Sequence, residues 1–385
     1  MRIFLSCQQA LKQHAVPAYA FWEFYFRNAI TEAGHEIVEA PNVDWAEGLT
    51  MLTKQDRAAW LGRTWTRAVE TVTAEHRSKP IGLFLSYLFP YQVEPAAIRA
   101  IRALGIPCVN FFCDNVREFR RVPASFNDFD LHWVPEAEAR PLYTAARLPF
   151  IYAPMPMWVA PEYRNVPTEE IEDVVFIGSH DALREDLLGE AVGLGLPLKL
   201  IGAGWQRGIA VAKPPSRTLL ERIASQGRFL RAEGPLGWVN RATYDCRKIR
   251  PTNWIDRHIL APVYGDAYFK ALRTSRVALG INRYPSFRHS FSKPHRYSRL
   301  RDIEAPMVGA CFLTEMAPGL GDLYEIGSEI ETFEGAADLV EKSRRLLGDP
   351  GARLKLRQLG QKRALADHTI GRSLQRIVER LGNAK

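Results

Sequence analysis

The sequence predicts an α/β fold of two parallel-sheet domains in tandem, and three observations lead there. Short apolar runs of strand length alternate with helix-length runs along most of the chain, the pattern of parallel sheets covered on both faces. The alternation breaks at APMPMWVAPEYRNVPTEE (153–170), which carries four prolines and no period and reads as a linker. The 385 residues, 46% of them apolar, are too many for one ordinary core and suit two domains of about 150 to 200 residues each. The expected boundaries are 1–155, a linker over 156–170, a second domain over 171–370 and a C-terminal helix over 371–385.

In the first domain, RIFLS (2–6) is a strand, followed by a polar loop and the helix AYAFWEFYFRNAITEA, stopped by Gly34. GHEIVEAP supplies the next strand. A helix near 55–77, strand 81–86, helix 95–104, strands 108–112 and 130–134, helix 136–146 and strand 150–153 continue the series. In the second, DVVFIGS (173–179) is a strand ending in Gly-Ser, with a helix from about Ala182, and LKLIGAGW (198–205) is a strand and its turn. Residues 206–260 are basic, aromatic and broken by prolines, and fit no simple unit; they read as an insertion. Regularity returns with helix 264–274, strand 277–281, helix 297–308, strand 310–314, a short helix after Gly319, strand 329–333 and helices to the end.

The net charge of +8 and pI near 9.2 favour anionic partners such as nucleotides, acidic glycans or anionic lipid, without choosing among them. No nucleic-acid-binding module is recognisable, so nucleic acid is not expected. The N-terminus lacks a signal peptide and no run of about 18 apolar residues occurs, so a cytoplasmic protein is expected. The five scattered cysteines form no C-x-x-C pair and read as reduced, buried thiols.

Ligands of parallel sheets bind beyond the carboxyl ends of the strands. In the second domain those ends are Gly178-Ser179, Gly202-Ala203-Gly204, Asn282-Arg283 and Thr314-Glu315, with Pro318-Gly319 behind. Glycine turns let backbone N–H groups approach phosphate oxygens, although any one of them alone would serve as an ordinary strand-to-helix turn. Neither G-x-G-x-x-G after the first strand nor G-x-x-x-x-G-K-[ST] is present, which disfavours a dehydrogenase or a P-loop enzyme.

The segment from His295 to Ser373 resembles the C-terminal half of the CgeB-like (spore maturation protein) glycosyltransferases, a branch of the GT-B superfamily. The shared features are Arg301 and Glu304 leading into a strand with Gly309, then Thr314-Glu315, Pro318-Gly319-Leu320, Gly327, Asp349-Pro350, His368-Thr369 and Arg372. VVFIGSHDALREDLL, with Arg184, and LKLIGAGW resemble the opening of that family's nucleotide domain. FFCDNVREFRR carries a looser likeness in the first half.

The resemblance implies the GT-B fold, two Rossmann-like doubly wound domains facing across a cleft, and transfer of a sugar from a nucleotide-diphosphate sugar to an acceptor hydroxyl. The acceptor would be a glycan, a lipid-linked or a small molecule, in surface glycan or glycoconjugate synthesis, possible at the inner face of the membrane. Glu304 would bind the ribose hydroxyls and Arg301 the phosphate or sugar, where the competing reading is a pair at i, i+3 on a helix surface. Gly178, Ser179, Arg184, Asn282, Arg283, Lys293, Arg296, Thr314 and Gly319 complete the expected donor side. The second Glu that retaining relatives carry eight positions before Glu304 is replaced here by Arg296, which leaves retaining and inverting chemistry both open. With no carboxylate cluster evident, no metal and no cofactor beyond the sugar nucleotide is expected. For the acceptor, Asp114 and His14 are the candidate bases; Asp114 could equally cap a turn, and for His14 a solvated loop position is favoured. Trp133 and Trp158 could stack on a sugar, with core packing the favoured role. The alternative function is a catalytically silent protein that binds nucleotide sugars in surface or coat assembly.

Overall fold

A computed structural model describes residues 1–14, 19–205, 230, 233–244 and 254–382. Chain contacts divide it into two units, Met1–Ala160 with Ala364–Lys385, and Pro161–Arg363. The chain therefore returns to the first unit ahead of its last helix, where the sequence suggested a separate C-terminal element after 370.

The first unit holds six parallel strands: β1 (Arg2–Ser6), β2 (Glu36–Val38), β3 (Leu83–Tyr87), β4 (Cys108–Phe111), β5 (Leu131–Val134) and β6 (Phe150–Tyr152), in the order β2-β1-β3-β4-β5-β6. Around them lie α1 (Tyr19–Glu32), α2 (Lys54–Ser78), α3 (Pro95–Ala103), the short α4 (Asn115–Glu118) and α5 (Arg140–Ala146). Strands β1, β3, β4 and β5 are buried at every position, which is why they read as continuous apolar runs. Gly34 ends α1 with a φ of 75°, a left-handed turn that glycine adopts at no steric cost. Trp133 lies in this core and donates from its indole nitrogen to the Ala153 and Pro154 carbonyls at 3.2 and 2.9 Å. Trp158 packs edge-on against Phe24 and donates to Glu32 at 2.8 Å.

The second unit repeats the plan with β7 (Glu172–Ile177), β8 (Leu198–Ile201), β9 (Ile259–Leu260), β10 (Ser275–Gly280), β11 (Phe312–Glu315) and β12 (Glu331–Phe333), in the order β12-β11-β10-β7-β8-β9, all parallel. Its helices are α6 (Ala182–Gly193), α7 (233–244), α8 (Asp266–Thr274), α9 (Arg301–Met307), α10 (Leu320–Leu323) and α11 (Ala336–Gly348). The long α12 (Pro350–Asp367) and α13 (Ile370–Gly382) follow. Val174, Phe176, Leu188, Leu198, Val277, Leu313 and Leu339 form a continuous apolar core between the sheet and its helices. Each such side chain is worth about 1.5–3 kcal/mol on burial. Two parallel doubly wound sheets are the architecture the sequence predicted.

Differences fall at element ends and in the excursion after residue 205. The helix expected over 136–146 is a 3-10 turn at Ala137–Ala139 followed by α5, because Pro141 lacks an N–H and sits only in a helix's first turn. The helix expected over 297–308 is confined to α9, which contains Pro306 and ends one residue later; Gly309, at φ 75°, then turns the chain toward β11. Strand β9 lies within the expected insertion, most of which falls outside the described residues.

Gly202 shows why β8 must end in glycine. Its φ is 149°, and a Cβ there would meet the Gly178 carbonyl oxygen at 2.2 Å. Backbone, which cannot give way as a side-chain tip can, therefore holds the ends of β7 and β8 together. Gly202→Ala is expected to lower stability by more than about 1 kcal/mol, which chemical denaturation with matched m-values would measure.

Candidate functional site

In an open parallel sheet the ligand crevice lies where the strand order reverses. In the second unit the chain runs from β7 outward through β8 to β9, then crosses back to place β10 on the other side of β7. The crevice therefore opens between Gly178-Ser179 and Ile281-Asn282. The equivalent reversal in the first unit falls between β1 and β3.

Arg184 stands in the first turn of α6, which Asp181 caps by accepting the N–H groups of Leu183 and Arg184 at 2.9 and 3.0 Å. The Arg184 guanidinium donates to the Ser179 carbonyl at 2.7 Å and to its hydroxyl at 3.3 Å. Its Nε lies 3.1 Å from Asp181, out of line for a hydrogen bond. Arg184 is 9% exposed. Burial, together with the positive charges of Arg299 and Arg301, pushes its pKa down to about 10.

Arg299 is half-buried, and its Nε finds no hydrogen-bond acceptor among the described residues. It donates to the Arg283 carbonyl at 3.3 Å, and its guanidinium lies over the Tyr297 ring at 4.9 Å. No carboxylate pairs with it among the described residues. Three guanidinium groups thus share one end of the sheet with acidic partners, Asp181 and Glu304, for only two of them. Such a site attracts a multiply charged anion.

Asp302, fully buried, organises the approach to Arg299. Its carboxylate accepts the Arg299 backbone N–H at 2.9 Å, the Thr314 hydroxyl at 2.8 Å and the Asn282 side-chain amide at 3.4 Å. Asn282 also donates to the Glu315 carbonyl at 2.8 Å. Glu315, fully buried as well, accepts the N–H groups of Asn282 and Arg283 at 3.2 and 3.0 Å and the Arg283 guanidinium at 2.8 and 2.6 Å. Arg296 reaches the same carboxylate at 2.9 Å and extends to Glu334 at 3.0 Å. Arg283 and Arg296 bridge as antiparallel neighbours, so Glu315 clamps the neck of the loop between them. Lys293 is exposed in a turn of that loop. Gly319, at φ 82°, opens the four-residue α10.

Glu304 and Arg301 do pair at i, i+3, with Arg301 Nε 3.1 Å from Glu304 Oε2, but the carboxylate is buried and not on a helix surface. The Tyr268 hydroxyl donates to the same oxygen. No motif in the sequence marks Tyr268, which lies on α8. Arg299 and Asp302 were in plain view beside Arg301, and their spacing around the start of α9 was the signal to read.

In the first unit, His14 corrects the expectation of a solvated loop residue. Its side chain is 6% exposed, and Nε2 lies 2.9 Å from both oxygens of Asp44. Asp44 also accepts the N–H groups of Leu11 and Glu47, which ties the loops after β1 and β2 together around the imidazole. Asp114 lies three residues beyond the end of β4, at the N-cap of α4 without a side-chain capping bond, and 3.9 Å from Arg117. Beyond the neighbouring β5 lie Glu136, buried, and Glu138, whose carboxylate oxygens are buried without hydrogen-bond partners among the described residues.

The C-terminal part of the chain matches the model of the family described as Glycosyl transferase-like over residues 184–379, about half of its length. The chain belongs to that glycosyl transferase-like family. The solved structures similar to it show the same fold. Sucrose-phosphate synthase from Thermosynechococcus elongatus is 14% identical with a TM-score of 0.55, covering 100% of this chain and 99% of its own. Anabaena HepE in complex with UDP-glucose is 10% identical with a TM-score of 0.58, covering 100% of both chains. A glycosyltransferase from Rickettsia africae is 9% identical with a TM-score of 0.56, covering 98% of this chain and 97% of its own. No curated protein sequence matches the chain. The two doubly wound sheets thus share the fold of these structures.

Burial pushes the Glu138 carboxyl up to about 7, so the folded state holds its proton more tightly than the unfolded chain does. Its contribution to stability is complete below the ordinary carboxyl range and is lost as pH rises through about 7. Glu138→Gln is expected to flatten the decline in stability between about pH 4 and 7, as denaturant titrations across that range would show.

Proposed function

We propose that this protein is a sugar-nucleotide-dependent glycosyltransferase of the CgeB-like branch, acting in surface glycan or glycoconjugate synthesis. The carrying observation is Arg299, a half-buried guanidinium with no carboxylate partner among the described residues, beside Arg184 and Arg301 at the sheet's switch point. A nucleoside diphosphate brings the negative charge this site lacks, and HepE, of the same fold, is known with UDP-glucose bound.

In this reading the diphosphate lies over the glycine-paired ends of β7 and β8, within reach of Arg184, Arg299 and Arg301. As the bond from the sugar's anomeric carbon to the diphosphate breaks, negative charge grows on the leaving oxygen. Fixed cations in a partly dry site stabilise that charge without reorganising. Glu304 accepts the ribose hydroxyls, and the loop from Arg283 to Arg296, clamped by Glu315, carries the basic groups for the donor's sugar end. The acceptor hydroxyl loses its proton to a group of the first unit, with His14, held by Asp44, and Asp114 as the two candidates. Association with the inner face of a membrane would rest on the basic C-terminal helices; among the described residues no helix is long and apolar enough to cross one.

A thermal-shift screen against UDP, GDP, ADP, CMP and TDP compounds tests the donor assignment, since a ligand of the folded state raises its melting temperature. Arg299→Gln should weaken the best nucleotide by about 1.5–3 kcal/mol, roughly ten- to a hundredfold, while the unliganded melting temperature holds or rises because like charges are relieved. An unchanged nucleotide affinity would remove Arg299 from the diphosphate site.

We further propose that transfer needs no metal ion, the diphosphate charge being met by guanidinium groups. Among the described residues no group of three His, Cys, Asp or Glu side chains is placed to hold one. Product formation should persist in excess EDTA; activity abolished by the chelator and restored by Mg²⁺ or Mn²⁺ would overturn this.

A further inference from the structure

Tyr268 lies on the helix that leads into β10, and Glu304 on the helix that leads into β11. They are 36 residues apart in the chain, yet the Tyr268 hydroxyl donates to Glu304 Oε2. Arg301 Nε reaches the same oxygen at 3.1 Å, and its guanidinium carbon stands 4.9 Å from the centre of the Tyr268 ring. The three side chains therefore form a closed triangle: hydroxyl to carboxylate, carboxylate to guanidinium, guanidinium to ring face. Burial and the adjacent Glu304 carboxylate hold the phenol well above its ordinary pKa, so it remains a donor at every pH at which the protein functions.

The Tyr268 hydrogen bond and the nearby Arg301 guanidinium, which is paired by charge but out of line for a second hydrogen bond, together restrain the plane of the Glu304 carboxylate. Because the hydroxyl comes from α8 and the guanidinium from α9, the orientation of the carboxylate depends on a residue outside its own helix and not on the rotamer of Glu304 alone. We propose that Tyr268 is a positioning residue that aims the Glu304 carboxylate at the ribose diol of a nucleoside diphosphate. This rests on the donor assignment made above for Glu304. Tyr268 itself touches no substrate in this account. It acts by removing the rotational freedom that Glu304 would have to give up on binding, the usual benefit of a preorganised contact.

Tyr268→Phe deletes the hydroxyl and keeps the ring beneath Arg301. The probes are UDP, GDP, ADP, CDP and TDP, and for the tightest of them its 2′,3′-dideoxy counterpart, titrated calorimetrically against wild type and variant. The wild-type ratio of the two affinities measures the ribose contact. The change in that ratio on substitution measures the role of Tyr268. Wild type should favour the ribonucleotide. Tyr268→Phe should weaken it about threefold or more, as expected for one lost hydrogen bond, and leave the dideoxy compound unchanged, so that the ratio falls toward one. Glu304→Asp, which withdraws the carboxylate from the hydroxyl by one methylene, is a second variant with the same expectation.

A purely structural tyrosine would lower both affinities equally, and a ratio equal to that of wild type in both variants overturns the proposal. A wild type that does not distinguish the two compounds, or binds none of the five, overturns the donor assignment itself and this inference with it.

Discussion

The second unit's crevice depends on one buried carboxylate. Asp302 is fully enclosed, and a charge so placed is tolerable only when its lone pairs are met by donors. The donors come from three places: the segment before α9, the end of β10 and strand β11. Those are the elements that bring Arg299, Asn282 and Thr314 to one end of the sheet. Burial raises the Asp302 pKa while the hydrogen bonds lower it. The network thus works in both directions, since the fold satisfies the carboxylate and the carboxylate fixes the register of the fold's ligand-facing ends.

Glu315, one residue past Thr314, extends the same logic to the next layer. It takes two backbone N–H groups and two guanidinium groups, so the basic loop after β10 is tied at its neck to the end of β11. One carboxylate shared by Arg283 and Arg296 leaves an excess of positive charge at that neck, moderated where Arg296 reaches Glu334. With Arg299 uncompensated nearby, the end of the sheet is cationic through several fixed groups, none of which need move to meet an anion. Ion pairs of this kind contribute little to stability when exposed. Their value in a partly enclosed site is to hold cations in place.

How much of this was legible in the sequence depends on chain distance. Strand β1 and helix α2 were visible within a residue or so because continuous apolar runs and helical periodicity are local signals. The Arg301–Glu304 pair was visible because three residues separate its members. Its burial was not, since that depends on Tyr268 reaching Glu304 from α8. The His14–Asp44 contact joins residues 30 apart through two loops that no periodicity describes, and the imidazole consequently looked solvated. The start of α5 moved because Pro141 acts on a single backbone position, which a windowed reading averages away.

The two units solve the same topological problem with opposite chemistry. At the reversal of the second sheet the loops present fixed guanidinium groups and glycine-tight turns, which suit an anion that arrives already charged. Around the first sheet, the loop after β1 presents an imidazole held by Asp44, and the ends of β4 and β5 carry Asp114, Glu136 and Glu138. Burial raises the pKa of Glu136 well above the ordinary carboxyl range, with the nearby Asp114 adding to the shift, so this carboxyl favours its protonated form where the guanidinium groups of the second sheet stay charged. Sugar transfer from a nucleotide diphosphate in general calls for cations whose charge does not vary with pH, which arginine supplies, and for a group able to take up the acceptor hydroxyl's proton. Under the proposed function, the arginines at the end of the second sheet match the first of these demands, and the acids and imidazole around the first sheet match the second.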